Sequence, residues 1–349
     1  MQIVEVDSKA GGNINHCSLN RTYEDKRLHL SEIIPHSCCK RNTHKIQHNY
    51  RADHLSNAIY QENYEEAVKN LNEAIRLLPT RDTAYNQLAE IYISLKEYDA
   101  ARSLLQNYLR SNVSKNSEEL LDKANELIAQ REETERILNE LYTAVNLLDI
   151  KTITSIMNDS FFKDNIAAET PYYYSPSGNI NLMLGYGMLI SDENTVYVGG
   201  FKNQMKEGIG ILFRLKNQKG KPGWYYYQGE WSQNMPNGMG KTGEEITVKD
   251  SEGKKQKLTT KVSGTFSYGL ENGAMQRIFY KDGEETGRVS YTAVDGIPSL
   301  YIDEDGQIPE HGTPDRYIIG EIYLNDEPTG EFYSVEAGTK FKVETEYNQ

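Results

Sequence analysis

The chain has little cysteine and histidine outside its N-terminal part. All three cysteines of the 349 residues, Cys17, Cys38 and Cys39, lie before residue 40, and the histidines lie before residue 55 except His311. Without cysteine, the rest of the chain cannot form disulfides, which fits a reducing compartment. Histidine is the most common general base, so its scarcity predicts that the protein is not an enzyme and has no small-molecule substrate.

Basic charge and long apolar runs are also lacking. The formal net charge is −13, which argues against a nucleic-acid-binding protein, because such proteins need a basic face to displace counterions. The same acidic balance disfavours direct binding to an anionic membrane, although membrane association stays an alternative. No apolar run approaches the roughly 20 residues of a membrane helix, and the N-terminus lacks a signal-peptide pattern. We therefore expect a cytoplasmic protein.

The first 50 residues show neither a helical nor a strand period. The stretch HSCCKRNTHKIQH offers thiols and imidazoles, which are the ligand types of zinc. However, Cys38 and Cys39 are adjacent, and no Cys-x-x-Cys spacing accompanies them. We interpret residues 1–50 as a poorly ordered N-terminal extension without a metal site, and we expect no cofactor in the chain.

The next part of the chain has the apolar period of helices, with an internal repeat. Ala67 and Leu71 recur 34 residues later as Ala101 and Leu105, and 34 residues is the period of the two-helix tetratricopeptide repeat. The best unit carries its apolar and small residues at Tyr85, Leu88, Ala89, Tyr92, Ala101, Leu105 and Tyr108. Residues 51–115 therefore resemble tetratricopeptide repeats, and residues 116–168 read as a long helix and a short helix that cap or link them.

The resemblance implies a peptide site on the helical repeats. In the tetratricopeptide family, the first helix of each unit presents its inner face to partners. Asn86 and Glu90 lie four residues apart on that helix of the best unit, so they are the candidate partner-binding residues. An ordinary solvated helix face is the alternative.

From about residue 170, glycine, tyrosine and β-branched residues replace the helical pattern. The segments YVGGFKNQMKEGIG and YQGEWSQNMPNGMG share an aromatic residue, a glycine, a second aromatic residue and a Gly-x-Gly at matching spacings, and VSGTFSYGLENGAM keeps most of them. The repeat-defining residues are Tyr197, Gly199, Phe201, Gly208 and Gly210; Tyr227, Gly229, Trp231, Gly238 and Gly240; and Val262, Gly264, Phe266 and Gly273.

This pattern resembles the MORN repeat (membrane occupation and recognition nexus), a β-hairpin repeat. The period is longer than is usual in that family, and the additional stretches KNQKGKPGW and VKDSEGKKQK are interpreted as extended hairpin loops. A single hairpin is marginally stable, so we expect the hairpins to stack into one antiparallel sheet in which each glycine leaves space for a ring of a neighbouring hairpin. One further copy is expected to be lost or unrecognisable between Val262 and Ile318.

Alternation along the strand assigns the aromatic residues of GWYYYQGEW to two faces. Tyr225, Tyr227, Gly229 and Trp231 fall on the ring-and-glycine face, and Trp224, Tyr226, Gln228 and Glu230 fall on the opposite face. Trp and Tyr are typical of binding hot spots. Trp224 and Tyr226 are therefore candidate partner anchors, and the alternative is that the linker PYYYSPS or the C-terminal strands cover them.

The sequence thus predicts an α+β protein, with helical repeats followed by a MORN-type hairpin sheet over residues 170–349. The predicted function is that of a non-catalytic scaffold or adaptor that binds protein partners. A glycan- or membrane-associated binding protein that uses the aromatic-rich sheet is the alternative.

Overall fold

A computed structural model describes residues 52–178, 182–218, 221–298, 316–336 and 338–344. The N-terminal extension with its three cysteines, and His311, lie outside the described residues. The architecture is α+β, with helices followed by a large antiparallel sheet, as the sequence predicts. The chain forms two compact units that divide between Arg131 and Glu132.

The helical part begins with three helices, α1 to α3, that are joined by short turns, and three further helices follow. The helices are α1 (Ala52–Leu77), α2 (Asp82–Ser94), α3 (Tyr98–Leu109), α4 (Lys115–Leu147), α5 (Ile150–Asn158) and α6 (Ser160–Asn165), followed by a 3-10 turn at Ala167–Glu169. The unit boundary falls within α4, so the second half of this helix belongs to the sheet unit. No helix of the described ranges is long and apolar enough to cross a membrane.

Three alanines, together with Leu105, form the central cluster of the first unit. Ala89 of α2, Ala101 of α3 and Ala124 of α4 are fully buried and let the helices approach closely. Ser114 precedes α4, and its hydroxyl oxygen lies 3.4 Å from the Ser117 backbone nitrogen, which donates to it. The helix therefore begins at Lys115, directly after Ser114.

The described residues of the sheet unit form twelve strands, β1 to β12. They are β1 (Tyr172–Tyr174), β2 (Leu184–Asp192), β3 (Thr195–Lys202), β4 (Met205–Gln218), β5 (Lys221–Ser232), β6 (Met235–Lys249), β7 (Lys255–Ser267), β8 (Leu270–Lys281), β9 (Glu284–Val294), β10 (Ile297–Pro298), β11 (Arg316–Leu324) and β12 (Glu327–Glu336). Each strand from β1 to β9 pairs with the next, β11 pairs with β9 and β12, and β10 pairs with β9. The chain therefore meanders through hairpins.

Two-residue turns with positive φ at both positions connect many of these hairpins. They are Asn203–Gln204, Gln233–Asn234, Tyr268–Gly269, Asp282–Gly283, Asp295–Gly296 and Asn325–Asp326. Asn, Asp and Gly tolerate this left-handed conformation, and such turns match the twist of paired strands. The turn after Trp231 is thus Gln233–Asn234, and Pro236 lies inside β6.

The expectation of an extended loop is wrong for KNQKGKPGW, because β4 and β5 pair as far as Gln218 and Lys221 and most of this stretch lies in strands. In VKDSEGKKQK the loop is confined to residues 250–254, because β6 and β7 pair as far as Lys249 and Lys255. The additional residues lengthen the strands, since the backbone finds a partner across each hairpin.

Both faces of the first strands are buried. The second half of α4, with α5 and α6, packs on one face of β2 to β5, which we call the helix-side face. Its core includes Leu141, Val145, Ile153, Met157 and Phe162 from the helices, and Met188, Ile190, Val196, Val198, Ile211 and Phe213 from the strands. The other face carries the rings of the repeats and is called the ring face.

Candidate functional site

The first candidate site lies on α2 in the helical unit. Asn86 is half-buried, and its side-chain oxygen accepts a hydrogen bond of 2.7 Å from the hydroxyl of Ser117 on α4. Ser117 is fully buried. Asn86 therefore joins α2 to α4 through its side-chain oxygen.

Glu90 lies one turn further along α2 and is half-buried. Among the described residues its carboxylate makes no hydrogen bond or ion pair. A half-buried carboxylate without an internal partner can accept hydrogen bonds from a bound peptide or a cation. Of the two predicted residues, Glu90 is therefore the one whose polar group is available.

The second candidate site, Trp224 with Tyr226, lies on the helix-side face of β5. Their rings stack with centroids 5.9 Å apart. Tyr226 is only 6% exposed and belongs to the core beneath the helices, while Trp224 is half-buried at its edge. The predicted face is the one observed, but the helices and Tyr172 and Tyr174 of the linker cover it. A partner-anchoring role does not fit Tyr226, because its ring is already enclosed.

Tyr226 has a further packing role on that face. It pairs with Gly243 across β5 and β6, and a Cβ added at Gly243 would lie 2.6 Å from the Tyr226 ring carbon Cζ. The glycine is therefore required for the ring to lie flat against the sheet.

On the ring face, glycines form a continuous row across six strands. The paired residues are, in order, Gly187, Gly199, Gly210, Gly229, Gly240 and Gly264. The Tyr227 ring lies over this row, since a Cβ at Gly229 or Gly240 would lie 2.6 or 2.5 Å from its hydroxyl oxygen. Tyr197 covers Gly199 and Gly210 in the same way.

Each ring therefore covers glycines of its own hairpin, and the expectation of a ring from a neighbouring hairpin is wrong. The Tyr227 hydroxyl donates to the Glu230 carbonyl at 2.9 Å, and the Tyr197 hydroxyl donates to the Gly200 carbonyl at 3.0 Å. These bonds fold each ring back over its own strand.

The aromatic residues of successive repeats contact each other edge to face. Phe201, Tyr197, Trp231, Tyr227 and Phe266 follow one another with ring centroids 5.2–5.3 Å apart and interplanar angles of 80–89°. This geometry is the favourable one for aromatic pairs. The five rings are almost fully buried.

The first glycine of the Gly-x-Gly pairs, and Gly273 in the third copy, have a different role from the second glycine. Gly208, Gly238 and Gly273 have φ of 74°, 115° and 106°, which favours glycine. They lie where the register shifts opposite Phe201, Trp231 and Phe266. Strict alternation along β6 would place Gly238 and Gly240 on the same face. The bulge interrupts this alternation, since a Cβ at Gly238 would meet the Glu230 side chain and a Cβ at Gly240 would meet the Tyr227 ring.

The copy expected to be lost or unrecognisable between Val262 and Ile318 is present in β9. Val289, Tyr291 and Ala293 take the places of Val262, Gly264 and Phe266, and the turn Asp295–Gly296 follows as Tyr268–Gly269 does. Tyr291 places an aromatic ring at the glycine position, and Ala293 places a methyl group at the aromatic position. The repeat in β9 therefore cannot be recognised from its residue types.

A repeated hydrogen bond confirms this register. In three hairpin turns, the second residue of the turn donates its N–H to a backbone carbonyl near the turn of the preceding repeat. The donor and acceptor pairs are Asn234 to Lys206 at 3.1 Å, Gly269 to Pro236 at 2.8 Å and Gly296 to Glu271 at 2.8 Å. Each acceptor lies two residues after the preceding turn. Successive hairpins are therefore joined in the same way at one edge, including the hairpin that contains β9.

A buried polar cluster follows the end of the glycine row. Arg277 donates to Glu271 at 2.9 Å, and the Tyr291 hydroxyl donates to the other oxygen of Glu271 at 2.6 Å. Burial raises the pKa of Glu271, and Arg277 and Tyr291 partly offset this effect. Sequence reasoning missed this cluster, because three separate polar residues carry no spacing signal.

The described residues contain no cluster of metal-binding side chains. Within the described ranges, no group of three or more His, Cys, Asp or Glu side chains is placed to hold a metal ion. The stretch HSCCKRNTHKIQH, which carries zinc-ligand residue types, lies outside these ranges.

Comparison with known proteins identifies one part of the chain. Residues 58–121 match the family model of the tetratricopeptide repeat. No curated protein and no solved structure matches the chain. The matched residues span the helical unit that carries Asn86 and Glu90.

Proposed function

We propose that this protein is a non-catalytic adaptor that binds protein partners through its helical repeats and carries a sheet of MORN-type hairpins as a second interaction module. The match of residues 58–121 to the tetratricopeptide repeat carries the proposal, because such repeats usually mediate contacts between proteins. Glu90, half-buried and without an internal partner among the described residues, supports α2 as the contact surface.

The assignment of the hairpins to the MORN type rests on the residue pattern and its geometry. Tyr197 and Tyr227 lie on glycines of their own hairpins and make the same hydrogen bond to the backbone. The same bulge lies opposite the second aromatic residue in three copies, at Phe201, Trp231 and Phe266. These features support one structural repeat in which the glycines serve architecture.

The glycan alternative receives less support from the structure. Sugar stacking requires exposed rings, and the repeat rings Tyr197, Tyr227 and Trp231 are buried in the ring face. Burial of these rings makes them core residues, so a protein partner remains the better proposal.

The test is quantitative affinity purification with the full chain. The variant Asn86→Ala/Glu90→Ala should recover the main partner at a yield at least about tenfold lower, because hydrogen bonds to charged groups contribute on the order of 1.5–3 kcal/mol. The matched control is Glu126→Ala, which removes an exposed carboxylate from α4 of the same unit.

Circular dichroism separates binding from folding in this test. Asn86→Ala breaks the bond to Ser117, so Glu90→Ala is also measured alone and should keep the wild-type melting temperature. Partner recovery that is equal for wild type, Glu90→Ala and the double variant would reject α2 as the contact surface.

A further inference from the structure

The C-terminal segment, residues 338–344, crosses the ring face of the sheet without belonging to it. Its contact with the strands is an isolated antiparallel bridge between Lys342 and Leu270. Side chains alternate along the segment, with Phe341 and Val343 buried and Lys340 and Lys342 exposed. The buried pair joins the core that contains Val262, Phe266 and Tyr291.

Backbone hydrogen bonds hold this segment at the edge of the hairpin turns. Phe341 donates its N–H to the Gly296 carbonyl and Val343 to the Gly269 carbonyl, both at 2.7 Å, and the Glu271 N–H donates to the Phe341 carbonyl at 3.1 Å. Gly269 and Gly296 are equivalent turn residues of successive repeats. Two buried residues of the segment that lie two positions apart, Phe341 and Val343, therefore bond to equivalent turns of two neighbouring repeats.

The end of the segment is recognised through its charge. The Glu344 carboxylate lies 2.8 Å from the ammonium nitrogen of Lys216, and the Glu344 N–H donates to the Tyr225 hydroxyl at 3.2 Å. Lys216 is itself buried and makes a second ion pair with Glu244 at 2.6 Å. Burial lowers the pKa of Lys216, but the two carboxylates more than offset this and raise it.

These contacts have the form of peptide recognition. Main-chain hydrogen bonds supply affinity, and pockets for alternate side chains supply specificity, as when an extended peptide binds beside a sheet. The groove binds an aromatic side chain, an apolar side chain two positions later and the acidic side chain that directly follows it. In the chain itself, Phe341, Val343 and Glu344 meet this requirement.

The segment fits the groove incompletely. A half-open cavity of about 190 Å³ lies between the segment and the sheet, lined in part by Thr242, Thr260, Glu271 and Arg277. The cavity is open to solvent on one side, so a ligand in the groove can extend into it. A larger or better-matched ligand would fill space that residues 340–344 leave open.

Release of the segment would leave few unpaired groups behind. Lys216 keeps its ion pair with Glu244, and Glu271 keeps Arg277 and Tyr291. The twelve-stranded sheet keeps all its strand pairs. The main consequence is an exposed apolar groove over Val262, Phe266 and Tyr291, which favours replacement of the segment by another ligand over an empty groove.

We propose that this groove is a peptide-binding site for a partner protein, and that residues 338–344 occupy it as an intramolecular ligand. The partner presents an extended segment with an aromatic residue, any residue, a β-branched residue and an acid. The proposal rests on the proposed adaptor function and names the chemistry that its sheet unit recognises. Partner binding then requires displacement of the chain's own C-terminal segment.

The first test measures binding of a labelled peptide with the sequence of residues 338–344 by fluorescence anisotropy. The full chain with Phe341→Ser/Val343→Asp should bind it at least about tenfold more tightly than wild type, because the internal competitor is weakened. Lys340→Ser, in an exposed position of the same segment, should behave as wild type. A peptide with serine in place of Phe341 and Val343 should not bind.

A disulfide provides a test that does not weaken the core. Leu270 and Lys342 face each other between the flanking backbone hydrogen bonds, a position where Cα atoms lie about 4.5 Å apart, within the range of disulfides. In a chain with Cys17, Cys38 and Cys39 replaced by serine, Leu270→Cys/Lys342→Cys should bind the peptide only after reduction, with at least tenfold loss when oxidised.

Three results would overturn the proposal. Equal peptide binding by the oxidised and reduced chains would place the peptide elsewhere. No binding by the weakened or the reduced chain would show that the groove accepts no peptide in trans. Concentration-dependent dimerisation of the weakened chain that the peptide does not reverse would make a second copy the occupant. Each result is independent of partner capture through α2, so the adaptor function can stand when the groove proposal fails.

Discussion

The two halves of the hairpin sheet are stabilised in different ways. In β3 to β7, Tyr197 and Tyr227 lie on glycines of their own hairpins, and the row of edge-to-face aromatic rings fills the ring face. In β9, Tyr291 stands where the earlier copies have glycine, and Ala293 stands where they have an aromatic residue.

The second half replaces the lost packing with groups from outside the repeat. Arg277 and Glu271 pair with the hydroxyl of Tyr291, and Phe341 of the C-terminal segment packs on Arg277 and Tyr291. The comparison shows that a hairpin keeps its backbone register when its residue pattern decays, provided that other side chains cover its ring face. The following changes test this difference between the halves.

The largest effect is expected from Arg277→Leu in the second half. Removing the guanidinium leaves the Glu271 carboxylate buried without its cation, so the free energy of unfolding should fall by about 3–5 kcal/mol. Urea unfolding followed by tryptophan fluorescence reports on the sheet unit, because Trp224 and Trp231 both lie in β5.

The matched control for this change is Arg288→Leu. Arg288 pairs with Glu285 at 2.8 Å in a partly exposed position, where ion pairs contribute about 1 kcal/mol or less. The double variant Arg277→Leu/Glu271→Leu should recover much of the lost stability. Equal losses in the single and double variants would show that the buried charge is not the cause.

An intermediate effect is expected from alanine at matched glycines of the two halves. A Cβ at Gly240 would lie 2.5 Å from the Tyr227 hydroxyl oxygen, whereas a Cβ at Gly320 would meet a Val289 methyl at 3.1 Å. Gly240→Ala should therefore cost about 2–3 kcal/mol, at the upper end of overpacking effects, and Gly320→Ala less than about 1 kcal/mol.

A second substitution identifies the origin of the Gly240→Ala effect. Adding Tyr227→Leu shortens the side chain over the glycine, so the combined loss should be smaller than the sum of the two single losses. Strictly additive losses in thermal unfolding would contradict the ring-on-glycine packing, as would equal losses for Gly240→Ala and Gly320→Ala.

Much of the fold could be predicted from local patterns. The 34-residue echo locates the helical repeat, and residues 58–121 match the corresponding family model. The Tyr–Gly–aromatic pattern predicts hairpins that form an antiparallel sheet, because alternation fixes which side chains share a face. The faces of Trp224 and Tyr226 follow from the same alternation.

The remaining features depend on contacts between residues distant in sequence. The cover on Tyr226 comes from helices whose own apolar period does not specify which surface they pack against. The β9 repeat is recognisable through its register alone, since Val289, Tyr291 and Ala293 preserve position but not residue type. The groove contact between Glu344 and Lys216 joins residues that lie 128 positions apart in the sequence.

The smallest effect, and the finest test of the comparison, comes from removing one hydroxyl in each half. The Tyr227 hydroxyl donates to a backbone carbonyl, so Tyr227→Phe should cost about 1 kcal/mol. The Tyr291 hydroxyl bonds to two ionised groups, the Glu271 carboxylate and the Arg277 guanidinium, so Tyr291→Phe should cost about 1.5–3 kcal/mol. Both are measured by urea unfolding, with Tyr268→Phe in an exposed turn as the control. A loss for Tyr227→Phe that equals or exceeds the loss for Tyr291→Phe would mean that charge does not distinguish the second half, and that ring packing governs both.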